Sequence, residues 1–328
     1  MAHHKIFVTG GAGYVGAVLV PQLLAKGHEV TVIDLMIYGD HVIEPHENLT
    51  MITGDIRDEE LVRRSVANHD VVIHLACISN DPSFEMNPEL GKSINLDAFS
   101  PLVKASKDAG VSRFIYASSS SVYGVKEEKD VHEGMTLEPL TDYSKFKADC
   151  EKILADYQSD DFTTVTIRPA TVCGYSPRQR LDVVVNILTN LAFHNRKISV
   201  FGGAQLRPNI HIQDMVEAYF LLIDAPAELI AGEIFNAGYE NHSVLELAEM
   251  VKDVVGEDVE LVTTPTDDNR SYHVSSEKIK TALGFEARHT IRDAAAGLVE
   301  AFKDNRLPNS LSDERYFNIK RMQSIELK

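Results

Sequence analysis

The chain has 328 residues, 44% of them hydrophobic and 25% charged, enough to bury one large core or two modest ones. Its 49 acidic against 32 basic residues give a formal net charge of −17, a field that repels nucleic acid and anionic lipid and sets both aside as partners. No apolar run approaches the roughly 18–20 residues of a membrane span, and the N-terminus enters a strand-like segment at once, without the pattern of a secretory leader.

The first predicted element is a strand over Lys5 to Val8, stopped by Thr9-Gly10-Gly11. Tyr14 to Ala25 reads as a helix with Val15, Val18, Leu19, Leu23 and Leu24 on its buried side; Pro21 inside it is expected to kink or locally unbond it, and Gly27 ends it. A strand over Glu29 to Ile33 is closed by Asp34. The alternation continues with a strand at Leu49 to Thr53, a helix at Asp58 to Val66, a strand at Val71 to Leu75 and a helix from about Pro88 to Ala109. Arg113 to Ala117 reads as a strand, Asp142 to Tyr157 as a long helix and Thr164 to Ile167 as another strand. Strands alternating with helices predict parallel pairing with helices on both faces. The near-continuous apolar strands agree, because central parallel strands are buried on both sides.

After Arg168-Pro169 the pattern loosens. Helices are predicted at Leu181 to Ala192, Gln213 to Leu222, Val244 to Val255 and Ser276 to Leu283, with strands at Glu233 to Asn236 and Val259 to Val262 and a turn at Gly202-Gly203. The expected class is α/β, a doubly wound parallel sheet of Rossmann type with a smaller, interleaved C-terminal substrate lobe. The sheet domain is expected over residues 1–170 plus about 212–240, and the second lobe over about 171–211 and 241–303. Residues 304–328 read as a polar tail. Cys77, Cys150 and Cys173 are too far apart for a disulfide framework or a zinc site, so no metal and a reducing, cytoplasmic compartment are expected.

Gly10, Gly13 and Gly16 lie between the first strand and the first helix, where glycines permit a tight turn and let a pyrophosphate approach backbone N–H groups at a helix N-terminus. A glycine triplet alone is equally a flexible turn. Here a strand precedes it, a helix follows, and Asp34 stands 18 positions after Gly16 at the end of the second strand. A carboxylate there accepts hydrogen bonds from an adenosine ribose and repels a 2′-phosphate, which favours NAD over NADP. In a chain of net charge −17, an anionic ligand needs a few local arginines working against the global field.

Tyr143 and Lys147 are four apart on one helical face. A phenol is a poor base at neutral pH unless a cation favours its phenolate, and Lys147 supplies one. Ser118 to Ser121 follow a buried strand, at the end where doubly wound folds present ligand-binding groups.

With these residues in hand the chain resembles an extended short-chain dehydrogenase/reductase of the nucleotide-sugar epimerase/dehydratase family, over essentially residues 5–303. The resemblance rests on Thr-Gly-x-x-Gly-x-x-Gly from Thr9, Asp55-Ile56, His74-Leu-Ala76, Asn95, the serine run ending Val-Tyr-Gly124, Tyr143-x-x-x-Lys147, Arg168-Pro169, and Arg207-Pro208 with Asp214. It implies Tyr143 as the acid/base, Lys147 as the group that lowers its pKa, and Ser119 on the reacting sugar oxygen. It implies NAD contacts from Gly10, Gly13, Tyr14, Val15, Gly16, Asp34, Asp55, Ile56, Leu75, Ala76, Asn95, Ser118, Tyr143, Lys147 and Pro169, with Lys147 holding the nicotinamide ribose. Ser79, Ser120, Ser121 and Thr171 are implied at the sugar, and Asn186, Arg207 and Arg270 at the nucleotide diphosphate. A homodimer through a four-helix interface is implied by analogy.

Within the family, 4,6-dehydratases carry Thr-Asp-Glu where this chain has Ser119-Ser120-Ser121, and serines cannot remove the C5 proton and expel water. The 3,5-epimerases use a cysteine in that segment, which is absent here; Cys77 and Cys173 follow strands and could line the pocket, but are expected to be packing residues. What remains is hydride chemistry at C4 and a nucleotide-diphosphate sugar as substrate, giving an NAD-dependent epimerase. The stretches 168–186 and 268–275 also resemble nucleotide-heptose 4-dehydrogenases, so release of a keto-sugar stays open, as does 4-keto reduction. A non-catalytic NAD sensor is the rival class, and the retained Tyr143 and Lys147 speak against it.

Overall fold

A computed structural model describes residues 3–39, 41–79, 81–128, 130–266, 271 and 273–328. Its strands are β1 Lys5–Thr9, β2 Glu29–Asp34, β3 Leu49–Thr53, β4 Val71–His74, β5 Arg113–Ala117, β6 Thr163–Pro169, β7 Thr171–Cys173, β8 Lys197–Phe201, β9 Leu206–His211, β10 Glu233–Ala237, β11 Glu240–Ser243 and β12 Glu260–Thr264. The helices are α1 Gly16–Ala25, α2 Glu59–Val66, α3 Asp81–Glu85, α4 Pro88–Lys92, α5 Phe99–Asp108, α6 Asp142–Tyr157, α7 Val184–Asn195, α8 Ile212–Asp224, α9 Ala227–Ile230, α10 Val244–Val255, α11 Glu277–Leu283, α12 Ile291–Lys303 and α13 Asn318–Ser324.

Seven strands form one parallel sheet in the order β10-β6-β5-β4-β1-β2-β3. Successive residues of a strand face opposite sides, and both sides are apolar: Ile6 and Val8 pack with Leu19 of α1 and Tyr219 of α8, while Phe7 packs with Val62 of α2 and Phe99 of α5. Burying each such side chain contributes about 1.5–3 kcal/mol, which is why the sheet carries helices on both faces. The strand order reverses between β1 and β4, so the carboxyl ends of these two strands, Thr9 and His74 in register, open the crevice where such folds bind ligands.

The remaining strands form two small sheets, β11-β9-β7 and β12-β8, backed by α7, α10 and α12 through Val185, Leu247 and Ala294. β7, β8, β9, β11, α3, α9, α12 and α13 have no counterpart among the predicted elements. α1 runs from Gly16 to Ala25 with Pro21 inside it, on its solvent side, where the ring has no N–H to give to the preceding turn. Two other expectations need correction. The long helix expected over 88–109 is α4 and α5 joined by a π-helical turn at Ser93–Asp97. The wider turn carries Asn95 inward, where its carboxamide accepts from Ile78 N at 2.8 Å and donates to Ile78 O at 2.9 Å.

The second correction concerns residues 304–328, which are not a tail. Leu307, Tyr316 and Met322 are buried, Ser310 Oγ donates to Asn190 Oδ1 at 2.7 Å, and α13 lies against the sheet domain. The anchors are widely spaced single residues that each meet a different partner, so no helical or strand period announces them.

Candidate active site

The crevice is a cleft of about 410 Å³ between the carboxyl edge of the large sheet and the second lobe. Its floor is the turn after β1. Gly10 has φ +73°, and a Cβ there would lie 2.6 Å from Ala76 N; a Cβ on Gly16 would lie 2.3 Å from Gly11 O. Only glycine fits either position, and the result is a tight turn that delivers Gly13, Tyr14, Val15 and Gly16 to the cleft at the start of α1, which no side chain caps. Uncapped N–H groups at a helix start suit a phosphate. At the end of β2, Asp34 accepts from Ala12 N at 3.0 Å and from Met36 N at 2.9 Å, which presents its carboxyl to the same cleft. Burial pushes that carboxyl above its usual range, and the two backbone donors oppose the shift. Asp55, paired with Arg57, and the buried Ile56 continue the wall, followed by Leu75 and Ala76 after β4.

α6 begins with a capping box in which Thr141 Oγ1 accepts from Ser144 N, and Thr141 also donates to Asp81 Oδ1 at 2.5 Å. The helix carries Tyr143 and Lys147 on its cleft side. Lys147 is 4% exposed, and its Nζ donates to Ala117 O at 2.6 Å and lies 5.9 Å from the centre of the Tyr143 ring. Burial pushes the Tyr143 phenol well above its usual value, and Cys77 and Asp81 add to the shift. A hydrogen bond with Ser119 and the guanidinium of Arg180 act in the opposite direction. Ser119 Oγ in turn lies 2.8 Å from Ser121 Oγ and accepts from Ser121 N at 3.1 Å. Ser118, although it lines the cleft, spends its hydroxyl on Glu151, which forms a buried bidentate pair with Arg168 at 2.9 and 2.6 Å.

Pro169, Thr171, Ser79, Ser120, Ser121 and Arg207 line the cleft as well. Two expected ligand contacts are placed elsewhere. Asn95 holds Ile78 from behind the wall, as described above. Asn186 is fully buried, with Oδ1 accepting from Gly174 N at 3.0 Å and Nδ2 donating to Tyr14 Oη at 2.9 Å and Arg180 O at 2.8 Å. Its carboxamide is used up in holding the loop before α7, so it does not face the substrate side. Arg270 lies outside the described residues.

Cys77, weighed as a pocket residue but expected to pack, lines the cleft near Tyr143. Several other lining residues escaped the sequence reading: Asp81 near Tyr143, Tyr38 after β2, and Arg178 and Arg180 in the loop before α7. Asn318, Met322 and Leu327 come from the C-terminal segment. The pair Arg178 and Arg180 was the one legible signal, two cations in a loop of a strongly acidic chain. Cys173, by contrast, is fully buried and donates to Ile210 O at 3.5 Å.

The model of the NAD-dependent epimerase/dehydratase family matches residues 6–238. Among curated proteins, the UDP-glucose 4-epimerase of Lactobacillus helveticus is 28% identical over 87% of this chain and 92% of its own length. The dTDP-glucose 4,6-dehydratase of Streptomyces niveus is also 28% identical, over 92% of this chain and 94% of its own. In the solved complex of the Thermus thermophilus UDP-glucose 4-epimerase with NAD, the matching chain is 26% identical with a TM-score of 0.81, over 91% of this chain and 99% of that one. The glycine turn, the uncapped start of α1 and the carboxylate of Asp34 fit a dinucleotide on this chain's own geometry. Since the matched stretch runs from β1 through the strand that closes the sheet, the chain belongs to the NAD-dependent epimerase/dehydratase family, and NAD is its cofactor.

Proposed function

We propose that the protein epimerises a nucleotide-diphosphate sugar by transient oxidation at C4. The observation that carries this reading is the company Tyr143 keeps: Lys147 and Ser119 beside it, Ser120 and Ser121 on the same rim, and no carboxylate in the serine run. Among the described lining residues, the acids are Asp34 and Asp55 at the dinucleotide turn and Asp81 near Tyr143. Asp81 accepts the hydroxyl of Thr141, the cap of α6, which supports a structural role over removal of a C5 proton.

NAD, held along the glycine turn, supplies the acceptor and later the donor of the C4 hydride. Tyr143 takes the proton of the C4 hydroxyl and returns it after the keto-sugar has presented its other face. Lys147 sustains the phenolate between the two transfers, and Ser119 holds the sugar oxygen while tuning the phenol.

The test is incubation of purified protein, without added cofactor, with uridine, thymidine and guanosine diphosphate sugars, followed by proton NMR. A new anomeric signal that grows to equilibrium with no new methyl doublet is expected. A methyl doublet from a 4-keto-6-deoxy product would make the protein a dehydratase. Stoichiometric reduction of cofactor with release of a keto-sugar would make it a 4-dehydrogenase.

A further inference from the structure

The chain carries a formal charge of −17, yet four cationic side chains line the cleft among the described residues: Lys147, Arg178, Arg180 and Arg207. Lys147 is committed to Ala117 O, and Arg207 Nη1 donates to Leu206 O. The other two sit in the loop before α7, and that loop is fastened to the dinucleotide turn. Tyr14 Oη donates to Gly174 O at 2.6 Å, and Ser176 Oγ donates to Tyr14 O at 2.8 Å.

Arg178 is 4% exposed, stacks 3.5 Å from the centre of the Tyr38 ring and donates from Nη2 to Asn318 Oδ1 at 2.6 Å. Arg180 donates from Nε to Asp182 at 2.8 Å and from Nη1 to Ser79 at 3.2 Å. Each keeps one buried guanidinium nitrogen without a partner, Nε of Arg178 and Nη2 of Arg180. An unpaired buried donor of a charged group is costly, so two of them on the wall of one cleft call for an acceptor that arrives with a ligand. Tyr38 follows the Asp34 end of the cleft, whereas Arg180 acts on Tyr143 at the other, so the two guanidinium groups span the stretch over the start of α1.

We infer that Arg178 and Arg180 clamp the diphosphate of NAD against the glycine turn, with Asn318 of α13 holding the clamp in place. A diphosphate offers several acceptor oxygens in a row, and the guanidinium fork is suited to them. A nucleotide-sugar carries the same group. The fastening of the loop to Tyr14, and of Arg178 to Tyr38, assigns the clamp to the cofactor. Asn318 extends the hold across the molecule, since its backbone N–H donates to Asp182 Oδ2 at 3.0 Å and its Nδ2 to Ser79 Oγ at 2.9 Å. The cofactor is thereby gripped by the sheet domain, the second lobe and the C-terminal helix, and it stays bound between turnovers. This deepens the epimerase reading, in which the hydride returns to the sugar it left, but its test does not depend on that activity.

The experiment compares wild type with Arg180→Gln and Arg178→Met. The NAD carried through desalting is quantified, and calorimetry on stripped protein gives affinities for NAD, ADP and AMP. UDP is titrated into NAD-saturated protein. Either substitution is expected to weaken NAD and ADP at least tenfold, AMP less, and UDP less than twofold. Unchanged NAD affinity in both variants would overturn the clamp. Weakened UDP with unchanged NAD would overturn its assignment to the cofactor. Should Arg178→Met fail to fold, Arg180→Gln and the preference of wild type for ADP over AMP still decide. An absence of that preference counts against the clamp whatever reaction the enzyme performs.

Discussion

Glu151 and Arg168 join α6 to β6 directly beneath the Tyr143 and Lys147 face, and breaking their pair is a sharp test of how the site is supported. The two side chains are 4% and 3% exposed and meet through two bonds, Nε to Oε1 at 2.9 Å and Nη2 to Oε2 at 2.6 Å. Arg168 Nη1 also donates to Tyr123 Oη at 2.8 Å, and Tyr123 Oη donates in turn to Asn236 Oδ1 at 2.7 Å. Glu151→Ala leaves the guanidinium buried with Tyr123 as its remaining partner, a situation that costs about 3–5 kcal/mol. Removing the charge as well, in Glu151→Leu with Arg168→Met, replaces the pair by apolar volume and recovers most of that loss, because neither ion is then desolvated. Urea unfolding of both variants and wild type, followed by circular dichroism in the absence of nucleotide, gives the comparison. A single variant within about 1 kcal/mol of wild type, or a double variant less stable than the single, would refute the account of this pair as a charge held only by its partner.

Tyr143→Phe is expected to lower turnover by about 10²–10⁴-fold while the purified protein keeps its NAD, measured by NMR turnover and cofactor content, because the phenol moves the proton whereas the glycine turn and Asp34 remain to hold the dinucleotide. Ser119→Ala removes the hydrogen bond that pulls the Tyr143 pKa down, so the acid limb of the kcat/KM profile is expected at higher pH; an unmoved limb would exclude that bond from catalysis. Burial, with Lys147 nearby, pushes His74 down to about 3, where it packs 3% exposed with Nδ1 at 2.7 Å from Thr9 Oγ1. The unfolded chain therefore takes up a proton at this residue near pH 6.5 that the folded one refuses until about pH 3. Its contribution is whole above pH 6.5 and is lost as pH falls, at about 1.4 kcal/mol per pH unit. His74→Gln is expected to flatten the acid side of a stability curve by about one proton, and an identical slope would contradict it.

The alternating strands and helices were legible because each is a local pattern: apolar runs such as Val71–His74, the turn from Thr9 to Gly16, the step of four from Tyr143 to Lys147. Nothing beyond neighbouring residues is needed to place a glycine in a turn or two side chains on one helical face, so the sequence alone determined the fold class, the dinucleotide turn and the Tyr143 and Lys147 pair. The tertiary structure decided the rest. Asn186 has the polarity of a ligand contact, but its partners Tyr14 and Arg180 claim its carboxamide, the first of them 172 residues away. Asn95, on a π-helical turn, gives its carboxamide to the backbone of Ile78, 17 residues earlier. Residues 304–328 read as polar and patternless because single anchors such as Met322 and Asn318 each answer to a different distant element. Arg178 and Arg180 gain their meaning only when a loop from one lobe is laid over the glycine turn of the other. A period in sequence records which face a segment buries; it carries no record of which remote group will use up a donor or leave one waiting, and that difference separates a structural residue from one that binds.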